Sequence, residues 1–218
     1  MSYPISTPAP ASLSVDIARS LFARTMAYVA LTASFFALGA YLGGGLDGAF
    51  GIVTFIAGFG VLIAMQYSSR RSQPLTIGLL AAFGLLVGLA LAPVLTDYVS
   101  ADPQAVWRAG AATALFIGVF GAVGYSTRRD LTWLARVSSW ALLGLLVFGV
   151  ALFFVTIPGG ALIYSLVGLV IFAGYTLVDF QRLRRSTDMT AAPLLAASIF
   201  LDVLNVFLFM LQVLPQED

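Results

Sequence analysis

Apolar residues dominate the chain in runs of 17 to 27, broken by short polar clusters. A membrane span needs about 20 mostly apolar residues to cross a hydrocarbon core of about 30 Å. On that criterion the pattern predicts seven helical spans, at residues 22–42, 50–67, 75–95, 109–125, 131–157, 161–178 and 193–214. The breaks are chemically clear. The first run ends at Gly43, Gly44 and Gly45, the second at Arg70 and Arg71, and the fifth at Pro158, Gly159 and Gly160. Pro93 lies near the end of the third, and the fourth stops before Arg128, Arg129 and Asp130. The sixth dissolves into Asp179, Arg182, Arg184 and Arg185. Connections this short make sequence neighbours antiparallel hairpins. Residues 1–18 hold Pro4, Pro8 and Pro10 among Ser, Thr and Ala, and read as a flexible cytoplasmic tail without the marks of a cleavable signal peptide. Residues 19–218 then form one seven-helix transmembrane domain, with no soluble second domain and no internal repeat.

Composition narrows the chemistry. Of 218 residues, 60% are hydrophobic and 10% charged, with a formal net charge of +1, too few charges to cover a soluble surface. There is no Cys and no His, and every cation is Arg. Disulfides, thiolate or imidazole catalysis, Lys Schiff bases and soft-metal sites are excluded, as is nucleic-acid binding through a basic patch. The expected partner is a lipid bilayer. With the N-terminus cytoplasmic, ten of the eleven arginines fall on the inner side and only Arg108 outside. The outer side carries Asp47, Asp97, Asp102, Glu217 and Asp218, and seven spans place the C-terminus outside. The alternative is a re-entrant last segment that returns the C-terminus to the cytoplasm. The oligomeric state is open, and a monomer is compatible with the pattern.

Two acids do not sit in loops. Asp202 lies inside the seventh span and Asp179 at the inner end of the sixth. An intramembrane carboxylate costs about 2.5–3.5 kcal/mol on insertion scales and marks a functional candidate. The structural alternatives are a helix end, with Asp179 snorkelling beside Arg182, and a buried hydrogen bond for Asp202. The two residues are equidistant from positions 190–191, so an antiparallel hairpin puts them at nearly one depth, roughly 10–15 Å below the turn. Desolvation and mutual repulsion both oppose a doubly ionised pair, so it would share a proton and titrate as one unit. Ser198, Asp202, Asn205 and Gln212 form one polar stripe, which must face protein or water. Interhelical hydrogen bonding explains Ser198 and Asn205 but not a carboxylate. Arg70 or Arg71, at the inner end of the second span, is placed to reach the acids; ordinary interfacial anchoring is the alternative, favoured for Arg71. The glycines read as close helix packing, and Trp107, Trp133 and Tyr67 as interfacial aromatics.

These residues resemble the Bax inhibitor-1 family, the transmembrane Bax inhibitor motif proteins, over about residues 15–214. Its most specific parts are Tyr175 to Asp179 in the sixth span and Ser198 to Phe207 in the seventh, with the stretch Gly88 to Pro93 supporting the register. The resemblance implies a bacterial inner-membrane protein with a last helix wrapped by the other six. It also implies a pH-sensitive calcium leak channel, an Asp179–Asp202 sensor and an arginine latch, best matched by Arg70 and next by Arg71. Asp179, Asp202, Asn205 and backbone carbonyls are hard oxygen ligands suited to Ca²⁺ as the permeant ion, with no cofactor. Three other readings follow. One is a non-transporting regulator that binds a membrane protease or another partner. Another is a proton-coupled cation exchanger. The third, an intramembrane aspartyl protease, is disfavoured because Asp202 follows Ile199, Phe200 and Leu201 rather than a glycine-rich approach, so no enzymatic activity is expected.

Overall fold

The computed structural model describes residues 11–45, 48–69 and 71–214, and side chains within them except those of 11–15 and 48. It is all helical, with no strand among the described residues. The helices are α1 (Ala11–Leu42), α2 (Gly48–Ser68), α3 (Gln73–Ala101), α4 (Ala105–Ser126), α5 (Thr132–Phe154), α6 (Gly160–Arg185) and α7 (Ala192–Val213). A 3₁₀ turn, Met189–Ala191, joins the last two. All seven helices are long and apolar enough to cross a membrane.

Helices α1, α3 and α6 outrun their apolar stretches most, because hydrophobicity sets where a span lies while backbone hydrogen bonding sets where a helix stops. α1 begins at Ala11, inside the segment expected to be tail. α3 runs through Pro93 to Ala101 and stops at Asp102, whose backbone is extended. α6 carries Asp179 and all three of its arginines as helical residues and ends only at extended Ser186. Between α5 and α6, Gly159 takes a left-handed conformation (φ 73°) that glycine alone adopts without strain.

Large apolar side chains point outward all around the bundle, among them Ile56, Phe59, Val147, Phe153 and Val170. Such an apolar exterior is costly in water and normal in lipid. Packing between helices then relies on close backbone approach, for which small residues are suited. A side chain at Gly84 or Gly88 of α3 would strike the Thr32 or Phe36 carbonyl of α1, and one at Gly39 of α1 would strike Leu85 of α3. Gly124 of α4 lies on the Leu177 backbone and Gly174 of α6 on Ser138 of α5. Gly60 and Gly118, by contrast, face open space.

α7 is the most buried helix: 56% of its most apolar stretch lies inside the protein. Its main neighbours are α1, α4 and α6, with a smaller contact to α3. α2 packs chiefly on α3, and α5 on α6. Side chains from the outer pair still reach it: Met65 of α2 joins Ala196 and Ala197, and Leu145 of α5 joins Val206 and Phe209.

Candidate functional site

The glycine contacts orient α6. With Gly174 against α5 and Leu177 against Gly124 of α4, the face carrying Asp179 is turned to α7. There the Ser198 hydroxyl donates to Asp179 Oδ2, and Arg182 Nη1 lies 3.6 Å from Asp179 Oδ1, one turn along the same helix. Asp179 and Asp202 are each only 4% exposed, whereas the Arg182 side chain is 62% exposed. Arg182 therefore pairs with Asp179 from the wet side.

Asp202 follows Ser198 by four residues on the same face of α7, so its carboxyl lies about 6 Å further along the axis than the Ser198–Asp179 contact. It interacts electrostatically with Asp179 and Arg182, and its Oδ2 is buried with no hydrogen-bond partner among the described residues. The two acids thus stand one helical turn apart rather than at one depth. The hairpin register explains the difference. Asp179 meets Ser198, and Gln212 Oε1 accepts a hydrogen bond from Ser165 Oγ at 2.8 Å. Both pairs are centred two residues before the midpoint that equidistance assumes, because α6 ends at Arg185 and α7 begins at Ala192, which centres the connection between residues 188 and 189. Cβ direction narrows the gap, since each side chain leans toward its own helix N-terminus and the helices are antiparallel.

Of the expected polar stripe, Ser198 and Asp202 lie against α6 or in the interior, whereas Gln212 is exposed and reaches Ser165 of α6. Asn205 Nδ2 donates to the Leu201 carbonyl of its own helix at 2.8 Å. Arg70 lies outside the described residues. Arg71 is exposed, with no ion pair among the described residues. Trp107, Trp133 and Tyr67 are exposed.

Removing the Ser198 hydroxyl takes away the hydrogen bond that spans the hairpin at Asp179. Ser198→Ala is expected to cost about 1 kcal/mol of stability, measured by equilibrium unfolding in mixed micelles.

One residue that sequence reasoning missed anchors the same end of α6. Gln181 is buried, its Nε2 donating to the Arg129 carbonyl at 2.7 Å and the Thr127 carbonyl at 3.2 Å, and its Oε1 accepting from Leu131 N at 3.3 Å. Arg184 donates to the Ser126 and Thr127 carbonyls, and Arg185 to those of Arg128 and Arg129. The α4–α5 loop is therefore tied to the helix that carries Asp179. A glutamine after an apolar run gives no sequence signal of this role.

Acids at the helix ends behave differently. Asp130 is held below the ordinary carboxylate range by hydrogen bonds from the Thr132 side chain and backbone, and by Arg185. Asp188 is held low in the same way by Thr190. Both stay ionised from mildly acidic pH upward, so neither can report a change near neutrality. At the opposite end Asp102 is buried, accepts from Gln104 N at 2.8 Å and pairs with Arg108, while Asp97 is exposed. Asp102 thus organises the start of α4.

Comparison with known proteins gives a consistent grouping. The family model described as inhibitor of apoptosis-promoting Bax1 matches residues 18–218. A protein from Chlamydia muridarum is 29% identical over 177 residues, covering 74% of each chain. One from Deinococcus radiodurans is 29% identical over 166 residues, covering 72% of this chain and 71% of its own. The inner membrane protein YbhL of Escherichia coli K12 is 24% identical over 163 residues, covering 70% of this chain and 68% of its own.

Proposed function

The chain belongs to the Bax inhibitor-1 family of membrane proteins, and from that premise we propose that it is a pH-sensitive calcium leak channel of the bacterial inner membrane. The N-terminus is cytoplasmic and the C-terminus periplasmic in this reading, so the arginine-rich end faces the cytoplasm. The observation that carries it is the carboxylate pair on α6 and α7. Asp179 and Asp202 are buried one turn apart, and one carboxyl oxygen has no partner among the described residues. In a low-dielectric site with two such groups and one nearby guanidinium, a second negative charge is opposed by the first, so the two groups are coupled.

In the closed state the pair carries a single proton, and arginine at the cytoplasmic end pins Asp179. Arg182 supplies part of this contact at 3.6 Å. Arg70, which follows the last residue of α2 by two positions in the sequence, is the latch proper, with Arg71 next to it in the sequence. A change in protonation alters the charge the latch sees and lets α2 move; its packing chiefly on α3 favours such freedom. Two carboxylates, hydroxyl oxygen and backbone carbonyls form a hard but incomplete oxygen set. Such a set suits Ca²⁺ in passage better than Ca²⁺ in storage.

The reading is tested with purified protein in Ca²⁺-loaded liposomes. Arg70→Ala is expected to raise Ca²⁺ efflux at neutral pH several-fold, because the pin is gone while the pair remains. Efflux at the wild-type rate would remove Arg70 from the mechanism. An exchanger would instead couple Ca²⁺ efflux to proton uptake with fixed stoichiometry, visible with a lumenal pH dye.

The family description, an inhibitor of an apoptosis-promoting protein, favours a second reading. In it the chain is a non-transporting regulator that holds a membrane protease or other partner. Co-purification of such a partner, with no flux from the pure chain, would select it.

A further inference from the structure

A cavity of about 390 Å³ opens between the start of α5 and the end of α6, lined by Asp130, Thr132, Ala135, Val178, Arg182 and Arg185 among others. Its walls change character along the bundle axis. Val178 and Ala135 are apolar and belong to the spans, and the charged residues follow at the arginine-rich end. Such a level is where a lipid headgroup meets water. The exposed indole of Trp133, beside Thr132, stands at the same height.

Charge in the cavity favours an anion. Two guanidiniums face one carboxylate, and that carboxylate is already engaged. Asp130 Oδ1 accepts from Thr132 N at 3.1 Å and Thr132 Oγ1 at 2.7 Å, and lies 3.6 Å from Arg185. The guanidiniums are less committed. Arg182 sits 3.6 Å from Asp179 and Arg185 3.6 Å from Asp130, both beyond hydrogen-bond length. Arg185 also donates to the Arg129 and Arg128 carbonyls at 3.2 and 3.5 Å, which fixes its position while leaving donors unused. Arg128, Arg129 and Arg136 add positive charge nearby. Basic pockets between helices on the cytoplasmic side are suited to phosphate groups, which two planar guanidiniums can hold in fixed geometry.

We propose that this cavity is a phosphate site, filled by the headgroup of an anionic phospholipid or by free phosphate, and held by Arg182 and Arg185. Because Arg182 also pairs with Asp179, an occupant competes with Asp179 for the same guanidinium. This coupling rests on the gating reading above, but the binding does not. Binding is measured without flux, so its failure and the failure of the calcium reading are separate results.

The full chain is placed in phosphatidylcholine nanodiscs and its thermal midpoint followed. Short-chain phosphatidylglycerol, short-chain phosphatidylcholine, and sodium phosphate against sodium chloride at equal ionic strength are added in parallel. A saturating occupant is expected to raise the midpoint by roughly 3 °C or more. A response to phosphatidylglycerol alone identifies a lipid headgroup, to phosphate alone the free anion, and to both a site that reads phosphate itself. The Arg182→Gln/Arg185→Gln variant should lose the response, and Arg24→Gln, an exposed arginine of α1, should keep it. Since Arg185 also ties the loop, Ala135→Phe provides a second variant that fills the cavity and spares both arginines; it too should lose the response. The site is refuted if neither anion shifts the midpoint, if phosphatidylcholine shifts it equally, if Ala135→Phe responds fully, or if Arg24→Gln loses as much as the double variant.

Discussion

Asp202→Asn is expected to give a folded protein whose Ca²⁺ flux no longer responds to pH. The asparagine has the shape of the carboxylic acid but cannot ionise, so the pair loses the proton equilibrium that distinguishes its states. Asp179 remains, with the Ser198 hydroxyl and Arg182 still in place. Stability moves the other way. Asp202 is buried with one oxygen unpartnered among the described residues, and a neutral amide at that position avoids burying a charge. The thermal midpoint should therefore equal or exceed that of the wild type. A loss of pH response without a loss of stability separates a sensor from a structural hydrogen bond, which would show the reverse. If Asp202→Asn keeps the full pH response, Asp202 is not part of the sensor.

The second large effect concerns the scaffold. α1 and α3 approach so closely that Gly84 and Gly88 lie on carbonyls of α1, and Gly39 lies on α3. The contact atoms are backbone, which cannot rotate away as a side chain would. Gly88→Val must separate the helices or tilt them, and is expected to cost about 3 kcal/mol, near the upper end of overpacking penalties. Gly60→Ala meets nothing within 4 Å and should change stability by less than about 1 kcal/mol. Unfolding of the two variants in the same micelles compares them directly. Similar midpoints would show that the helices are not held by this close approach.

The seven helices were legible because lipid-facing and buried positions are both apolar, and long apolar runs have no other use in a chain with so few charges. Helix ends were less legible. Hydropathy falls at Val178, yet α6 continues to Arg185, since arginine is a good helix former and the backbone meets no glycine or proline there. The two acids stood out by their placement alone, but their relative depth did not. That depth depends on where the hairpin connection is centred, and neither the end of α6 at Arg185 nor the start of α7 at Ala192 is marked in the sequence sharply enough to fix it. Gln181 and the carbonyls it serves were invisible for a different reason. Its partners are backbone atoms of Thr127, Arg129 and Leu131, about 50 positions earlier, and backbone partners leave no trace in residue type. Gly60 and Gly84 illustrate the same limit: both sit in apolar helices, and only the neighbouring helix decides which one is required.

The central claim is that the buried Asp179–Asp202 pair governs passage of Ca²⁺. Its most direct test is ion flux from purified wild-type protein in liposomes across a pH series, with Ca²⁺ compared with K⁺ and Na⁺. The account predicts Ca²⁺ flux above that of protein-free liposomes, changing with pH, and exceeding K⁺ and Na⁺ flux under the same gradients. No Ca²⁺ flux at any pH, or a flux that stays constant across the series, would contradict it.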